Sequence, residues 1–295
     1  FSHGRVRVFP LFLFSFLCVG VQWIRGWRWV YLFRPEHRAT KGGLTVSNLI
    51  GFMSNNILPL RMGEMVRALM ARRKTRAPLS YILASLFVER LFDTLCMLLC
   101  LIVPLLFMPG APGFIRKVGL GMTAAFFGAL GILLVLRFKP HLVQRVIAAP
   151  ARRIMPEKAF ARLDHILHTF TDGLRMLKDG GAMLKVSILS LFHWGVVVFA
   201  YEMAFRGFSF DNLPWTAPFL TNGLVGLGVA LPSAPAFVGP LHAAIIYSLS
   251  DVYGALKSEA TGFAVVIHIL MMAPLTVVGL LMMWREGLSL SQIRQ

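Results

Sequence analysis

The stretch of residues 80–108 decides the class of fold, and it reads SYILASLFVERLFDTLCMLLCLIVPLLFM. A helix needs about 20 mostly apolar residues to cross the hydrocarbon core of a bilayer, and this stretch exceeds that length. Its apolar residues do not alternate with polar ones, as they would in a strand of a membrane β-barrel. The stretch therefore predicts a transmembrane α-helix that carries Glu89, Arg90 and Asp93 at membrane depth.

The composition of the whole chain agrees with this prediction. Of the 295 residues, 57% are hydrophobic and 15% are charged, whereas an average soluble domain has roughly 45–50% apolar and about 25% charged residues. This is too little polar surface to cover a soluble core, which excludes a soluble globular protein, a disordered protein and a disulfide scaffold. Cys18, Cys96 and Cys100 lie inside apolar segments, so we predict neither a disulfide nor a metal site.

The charge balance bears on the partners of the protein. The chain carries 30 Lys and Arg against 13 Asp and Glu, a formal net charge of +17. In a membrane protein such an excess is typical of cytoplasmic loops and of attraction to anionic head groups. We therefore predict membrane lipids as partners, and no nucleic acid. The sequence makes no prediction of the oligomeric state.

The order of apolar segments predicts an all-α polytopic membrane protein with one transmembrane domain over residues 1–295. A first half covers residues 1–108 and a second half covers residues 186–285. Between them lie a connecting span at 118–136 and a cytoplasmic amphipathic region at 137–185. Residue 1 is Phe and not Met, so we expect a further native span upstream. The predicted full spans are Val6–Ile24, Ser80–Met108, Val118–Leu136, Val186–Phe205 and Ala260–Trp284.

Two apolar stretches are interrupted, at residues 44–71 and 215–252. Each is either one helix kinked at a proline or a re-entrant hairpin that enters and leaves on one side. Hairpins would place 21 Lys and Arg on one face and 6 on the other, and the basic face, with the C-terminus, would be cytoplasmic. The two halves would then run in opposite directions, an inverted-repeat bundle typical of transporters. Chance similarity between short apolar segments is the alternative.

Charged residues at membrane depth are the main candidates for a site, because they are costly there and usually face a cavity or a partner. Glu89 and Asp93 are four residues apart and share a helical face, so they require basic partners, of which Arg61 and Arg67 are nearest in sequence. We predict one polar network at the bottom of a cavity, formed by Arg61, Glu64, Arg67, Glu89, Arg90 and Asp93. It either pins the first hairpin to the next span, or also lines a path for a charged head group.

The second interrupted stretch is nearly uncharged. Pro232, Pro235 and Pro240 have no N–H, so the backbone around the break is irregular. We expect free N–H groups at 237–239 that can receive an anion. His242 follows them, either as a core residue or as a member of the site. With Asn56, these residues complete the predicted lipid-binding set of Asn56, Arg61, Glu64, Arg67, Glu89, Arg90, Asp93 and His242.

Three motifs resemble those of a known family. They are Asn56-Ile-Leu-Pro-Leu-Arg-Met-Gly-Glu64 followed by Arg67, Glu89-Arg90-Leu-Phe-Asp93, and Leu231-Pro-Ser-Ala-Pro-Ala-Phe-Val-Gly239. They resemble the hallmarks of the lysylphosphatidylglycerol synthase transmembrane, or flippase-like, family of uncharacterised bacterial and archaeal membrane proteins, over nearly the whole chain. The third motif departs from the family, which usually has Pro-Gly where this chain has Pro235-Ala236, and often has an acid where this chain has His242.

The resemblance implies movement of lipid between leaflets. Our leading hypothesis is a flippase-like transporter of an anionic, polyprenyl-, glyco- or hopanoid-type lipid in the bacterial cytoplasmic (inner) membrane. The alternatives are a membrane-embedded enzyme or accessory subunit acting on a lipid-linked substrate, and a scaffold that only binds lipid or partner helices. The chain has no enzyme signature, so we predict no catalytic residue and no cofactor.

Overall fold

The computed structural model describes residues 6–58, 62–107, 113–139, 141–230 and 235–288, and the regular structure in these ranges is helical throughout. This confirms the predicted all-α class. Short 3-10 turns lie at Pro35–His37, Arg175–Lys178 and Pro235–Phe237, and a π-helical turn lies at Tyr247–Val252. The α-helices are α1 (Val8–Val30), α2 (Lys41–Ile57), α3 (Gly63–Lys74), α4 (Leu79–Leu106), α5 (Gly113–Phe138), α6 (Leu142–Ile154), α7 (Glu157–Leu174), α8 (Gly180–Gly207), α9 (Ala217–Ala230), α10 (Pro240–Ile246) and α11 (Lys257–Arg285).

Within the described ranges, α1, α8 and α11 are the three helices long and apolar enough to cross a membrane. Helix α4 has 28 residues but carries three charged residues in its middle, and the 26-residue α5 contains the predicted span Val118–Leu136. The predicted end of the first span at Ile24 is wrong, because α1 continues to Val30. Arg25 and Arg28 therefore lie inside this helix and are buried there. The chain is a multi-pass membrane protein.

The first interrupted stretch forms two helices that run antiparallel. Thr40 caps the start of α2 by accepting a hydrogen bond from the Gly43 amide at 3.1 Å. A Cβ atom on Gly51 of α2 would lie 2.9 Å from the carbonyl oxygen of Gly63 and 2.7 Å from Cβ of Arg67, both in α3. The two helices approach so closely because glycine has no side chain there.

The second interrupted stretch has the same form. Thr221 of α9 and Ser248 share a hydrogen bond of 2.7 Å between their hydroxyl groups. Nearer the break, a Cβ atom on Gly228 would lie 2.8 Å from the carbonyl oxygen of Pro240. These contacts align the end of α9 with the start of α10, so α9 and α10 are also antiparallel.

The two halves of the chain pack into one bundle. Helix α1 packs against α8, α2 and α11, and α4 packs against α9, α5 and α7. The largest buried cluster gathers side chains from α1, α8 and α11, including Phe14, Tyr201, Phe205 and Phe263. The predicted amphipathic region contains α7, which buries Leu167 and Leu174 as it packs on α4.

Candidate functional site

Five buried charged side chains from three helices meet in the bundle. Arg25 and Arg28 come from α1, Arg67 comes from α3, and Glu89 and Asp93 come from α4. Arg28 and Glu89 are 0% exposed and Arg67 is 1% exposed. Because ionised groups are so costly away from water, these five residues must satisfy one another. They form what we call the arginine–carboxylate cluster.

Glu89 is the centre of the arginine–carboxylate cluster because all three arginines reach it. Its Oε1 lies 2.9 Å from Nη2 of Arg25 and 3.1 Å from Nη2 of Arg28, and its Oε2 lies 2.5 Å from Nη2 of Arg67. Asp93 binds Arg25 at 2.9 Å and Arg28 at 2.8 Å. Each carboxylate thus bridges α1 and α4, and Glu89 also ties in α3.

Helical spacing explains why these residues converge. Arg25 and Arg28 are three residues apart on α1, and Glu89 and Asp93 are four residues apart on α4, so each pair occupies one face of its helix. Aromatic rings support the arginines, since the guanidinium of Arg67 lies 4.1 Å from the ring centre of Trp29. This is the geometry of a cation–π contact.

The cluster has an excess of positive charge. Three guanidinium groups face two carboxylates, which leaves a net charge of +1 in its buried part. Glu64 and Arg90 add no net charge, because they form an ion pair with each other at the half-exposed edge. Glu64 also lies 3.8 Å from Arg67. A single negative charge would balance this part of the protein.

The structure brings together five of the predicted residues, Glu64, Arg67, Glu89, Arg90 and Asp93. Arg61 lies outside the described residues. Sequence reasoning missed Arg25 and Arg28, because it ended the first span at Ile24. The available signal was their spacing of one helical turn, which matches the spacing of Glu89 and Asp93.

A cavity of about 210 Å³ lies between α1, α2, α8, α9 and α11, next to the cluster. Its walls are mostly apolar, with Phe14, Leu17, Val197 and Val225 among them. One end is polar, since Gln22, Arg25, His193 and Trp194 line it. Of the arginines in the described ranges, Arg25 is the one that lines this cavity. Arg25 therefore lies both in the buried cluster and in the wall of the cavity.

Several polar atoms of the cavity wall have no hydrogen-bond partner. They are Oε1 of Gln22, Oδ1 of Asn56, Nδ1 of His193 and the hydroxyl of Tyr201. Buried polar atoms are normally hydrogen-bonded, whereas these four are enclosed by the surrounding protein without a partner. Sequence reasoning had found only Asn56 among these four. The amide nitrogen of Asn56 donates to the hydroxyl of Thr276 on α11 at 2.9 Å.

His242 lies apart from the arginine–carboxylate cluster and contacts His268 of α11, with 3.1 Å between Nε2 of His242 and Nδ1 of His268. The Gly239 amide, one of the N–H groups expected to receive an anion, donates to Nδ1 of His242 at 3.4 Å. That N–H therefore already has an acceptor within the protein.

Outside the spans, His37 lies in the turn between α1 and α2. Its ring centre is 4.3 Å from that of Tyr81, and its carbonyl oxygen accepts a hydrogen bond from the Arg76 amide. Burial lowers the pKa of His37 below its usual value; the charge of Glu36 opposes this shift and that of Arg34 adds to it. The fold thus favours the neutral form of this histidine.

Fold and site together define an all-helical membrane protein with an apolar cavity that is cationic at one end. No group of three or more His, Cys, Asp or Glu side chains suited to a metal occurs in the described part of the chain. No curated protein and no solved structure matches the chain. The family described as the lysylphosphatidylglycerol synthase TM region matches residues 4–279, and the chain belongs to this family.

Proposed function

We propose that the protein moves an anionic lipid between the leaflets of the bacterial cytoplasmic membrane. The observation that carries this proposal is the position of Arg25, which is part of a buried cluster with an excess positive charge and also lines a mostly apolar cavity. A lipid has the matching composition, with a charged head group on apolar chains. The guanidinium fork suits phosphate, because it donates two parallel hydrogen bonds.

Charge supports an anionic head group. The cluster's net charge of +1 would be balanced by one phosphodiester, at a depth where an unbalanced charge is costly. The proposal assigns phosphate contact to Arg25 and a supporting role to Arg67. Arg67 is buried against Glu89 and Trp29, so it holds Glu89 in place beneath Arg25.

We further propose that the two antiparallel helix pairs, α2–α3 and α9–α10, are re-entrant hairpins of an inverted repeat. The contacts between helices support this, because contacts made by helices of the first half have counterparts in the second half. The corresponding helices are α1 and α8, α2 and α9, α3 and α10, and α4 and α11. Helix α2 packs on α11 as α9 packs on α4, α1 packs on α11 as α8 packs on α4, and α3 packs on α4 as α10 packs on α11. Such symmetry is expected of two halves built alike.

The ends of the hairpins support opposite directions of entry. Lys74, at the end of α3, forms an ion pair with Glu286 just beyond α11. The ring of Trp215, just before α9, makes an edge-to-face contact with the ring of Phe107 at the end of α4. Helix α4 begins at Leu79, shortly after Lys74, and ends at Leu106, so its whole length lies between the open end of the first helix pair and that of the second. With Arg25 and Arg28 counted inside the bundle, 19 Lys and Arg fall on one face and 6 on the other, which favours a cytoplasmic C-terminus.

The test is transport of a fluorescent anionic phospholipid in liposomes that contain the purified protein. Val197→Phe adds bulk to the apolar cavity wall without touching the charged cluster, and we expect it to abolish transport. Val265→Phe is the matched control, because Val265 is 44% exposed on α11 and its replacement should leave transport intact. Equal transport by both variants, or no transport by the parent at matched protein level, would contradict the proposal.

A second variant tests the proposed role of Arg25. Arg25→Lys keeps the charge and removes the fork, so we expect impaired transport by a folded protein. Arg34→Lys, at a half-exposed site after α1, is its control. An Arg25→Lys variant that transports as well as the parent would show that the guanidinium does not hold the phosphate.

A further inference from the structure

The cavity is small for its proposed ligand. Its volume of about 210 Å³ is below the roughly 300–1,000 Å³ of typical small-molecule sites, and a phospholipid is larger than most such ligands. Movement of a lipid therefore requires a wall of the cavity to move. The wall formed by Phe237 is the candidate, because its backbone belongs to the irregular segment Pro235–Gly239 that precedes α10.

The segment that carries Phe237 has a strained backbone. Ala236 and Phe237 have φ angles of 55° and 60°, in the left-handed region that side chains with a Cβ atom disfavour. Gly239 follows with φ of 96° and ψ of −79°, close to the rare classic γ-turn. Such strain persists only where neighbouring contacts hold it.

A chain of hydrogen bonds through His242 and His268 holds this segment. Nε2 of His268 lies 2.8 Å from the carbonyl oxygen of Ala236. Because that oxygen only accepts, Nε2 carries a hydrogen and Nδ1 of His268 is an acceptor. Nε2 of His242, 3.1 Å away, must then donate to it. Nδ1 of His242 is left as the acceptor for the Gly239 amide.

One added proton has a single place to go in this chain. The neutral pair holds two N–H protons. The contact between Nε2 of His242 and Nδ1 of His268 can hold only one of them, because one nitrogen must accept. The nitrogen that faces Ala236 keeps another. A third proton therefore resides on Nδ1 of His242, whichever ring binds it first. There it faces the Gly239 N–H, so donor meets donor and the hydrogen bond to Gly239 is lost.

The surroundings leave His242 and His268 to act mainly on each other. His268 is the group that influences the charge state of His242 electrostatically. Arg25 and Arg28 on α1 are paired with Glu89 and Asp93, and no titratable residue lies on α9. The other titratable residues of the packed elements are Cys18 on α1, the exposed Lys41 on α2, Tyr247 and the exposed Asp251 in the π-helical turn, and Lys257, Glu259 and Arg285 near the ends of α11.

We propose that His242 and His268 form a proton-binding site that releases Gly239, two residues from the cavity wall at Phe237, and couples lipid movement to a proton gradient. The coupling rests on the proposed transport function, whereas the proton-dependent release of the segment does not. Of the side chains, histidine is the one best suited to bind and release a proton in response to pH.

The first test measures hydrogen–deuterium exchange of residues 235–243 at pH 7.5 and 5.5, corrected for the intrinsic exchange rate at each pH. Protonation of the pair removes the acceptor of the Gly239 amide, so we expect protection of this amide in the parent to fall when the pH is lowered. His242→Gln can still donate to His268 but binds no proton, and its protection should not change. His165→Gln, at an exposed position on α7, should behave as the parent does.

Two results would overturn the release mechanism: a parent whose protection is the same at both pH values, or a His242→Gln variant that loses protection as the parent does. The first result needs no variant, so the test holds even where the substitution impairs folding.

The second test measures movement of a fluorescent anionic phospholipid in liposomes with and without a proton gradient, together with proton entry reported by a pH-sensitive dye. We expect the gradient to accelerate transport by the parent and to have no effect on His242→Gln. Transport that is independent of the gradient in the parent would overturn the coupling. Absence of transport under all conditions would instead overturn the proposed function, while the exchange result stands by itself.

Discussion

Replacement of Glu89 by glutamine tests whether the arginine–carboxylate cluster holds the bundle together. The change keeps the shape of the side chain and removes its charge, which raises the net charge of the cluster from +1 to +2. All three arginines lose an ionised acceptor, at distances of 2.5, 2.9 and 3.1 Å. Breaking a buried ion pair by removing one partner typically costs about 3–5 kcal/mol, and we expect Glu89→Gln to lower the free energy of unfolding by that amount.

The measurement is unfolding of the purified protein in mixed micelles titrated with sodium dodecyl sulfate, followed by tryptophan fluorescence. Glu202→Gln is the matched control. It removes the same charge from an ion pair with Arg206 of similar length, 2.7 Å, but at the exposed end of α8. Exposed pairs contribute about 0.2–1 kcal/mol, so this variant should be nearly as stable as the parent.

A double variant separates charge balance from loss of contacts. Arg67→Gln combined with Glu89→Gln restores the net charge of +1, and the two effects should be less than additive by about 0.5–3 kcal/mol, as for residues in one network. The reasoning fails if Glu89→Gln is within about 1 kcal/mol of the parent, or if the two effects simply add.

Three other expectations can be checked in the same system. Gly51→Ala should destabilise the protein by about 1–3 kcal/mol, as overpacking does, because its Cβ atom would meet Gly63 and Arg67. Gly20→Ala on α1 is the control and should not destabilise the protein, because a Cβ atom there meets nothing within 4 Å. Arg7→Ala should change the unfolding free energy by at most about 1 kcal/mol, because its ion pair with Asp211 is half-exposed on both sides; a larger loss measured by the same titration would contradict this. Backbone amides in the turn at His37 should be fully protected from hydrogen exchange above about pH 6.5. They should lose this protection as the pH falls through the lowered pKa of His37 in the folded state. In His37→Gln, protection of the same amides should not change with pH.

The sequence alone determined the class of the protein and part of its site. Hydropathy is a local property, so apolar runs such as residues 80–108 predict helices without knowledge of their neighbours. Charged residues within such runs are costly wherever they face, so Arg67, Glu89 and Asp93 were identifiable before their partners were known. The motifs that contain these residues also indicated the family, which the match over residues 4–279 confirms.

Only the tertiary structure decided which residues satisfy those charges. Arg25 lies 64 positions from Glu89 along the chain, and arginine beside tryptophan is equally typical of a membrane surface and of a buried ion pair. No local pattern distinguishes the two environments, because the difference depends on whether α4 places carboxylates opposite α1. The cavity and the contact between His242 and His268 likewise arise between helices that are distant in sequence, where packing alone determines what meets.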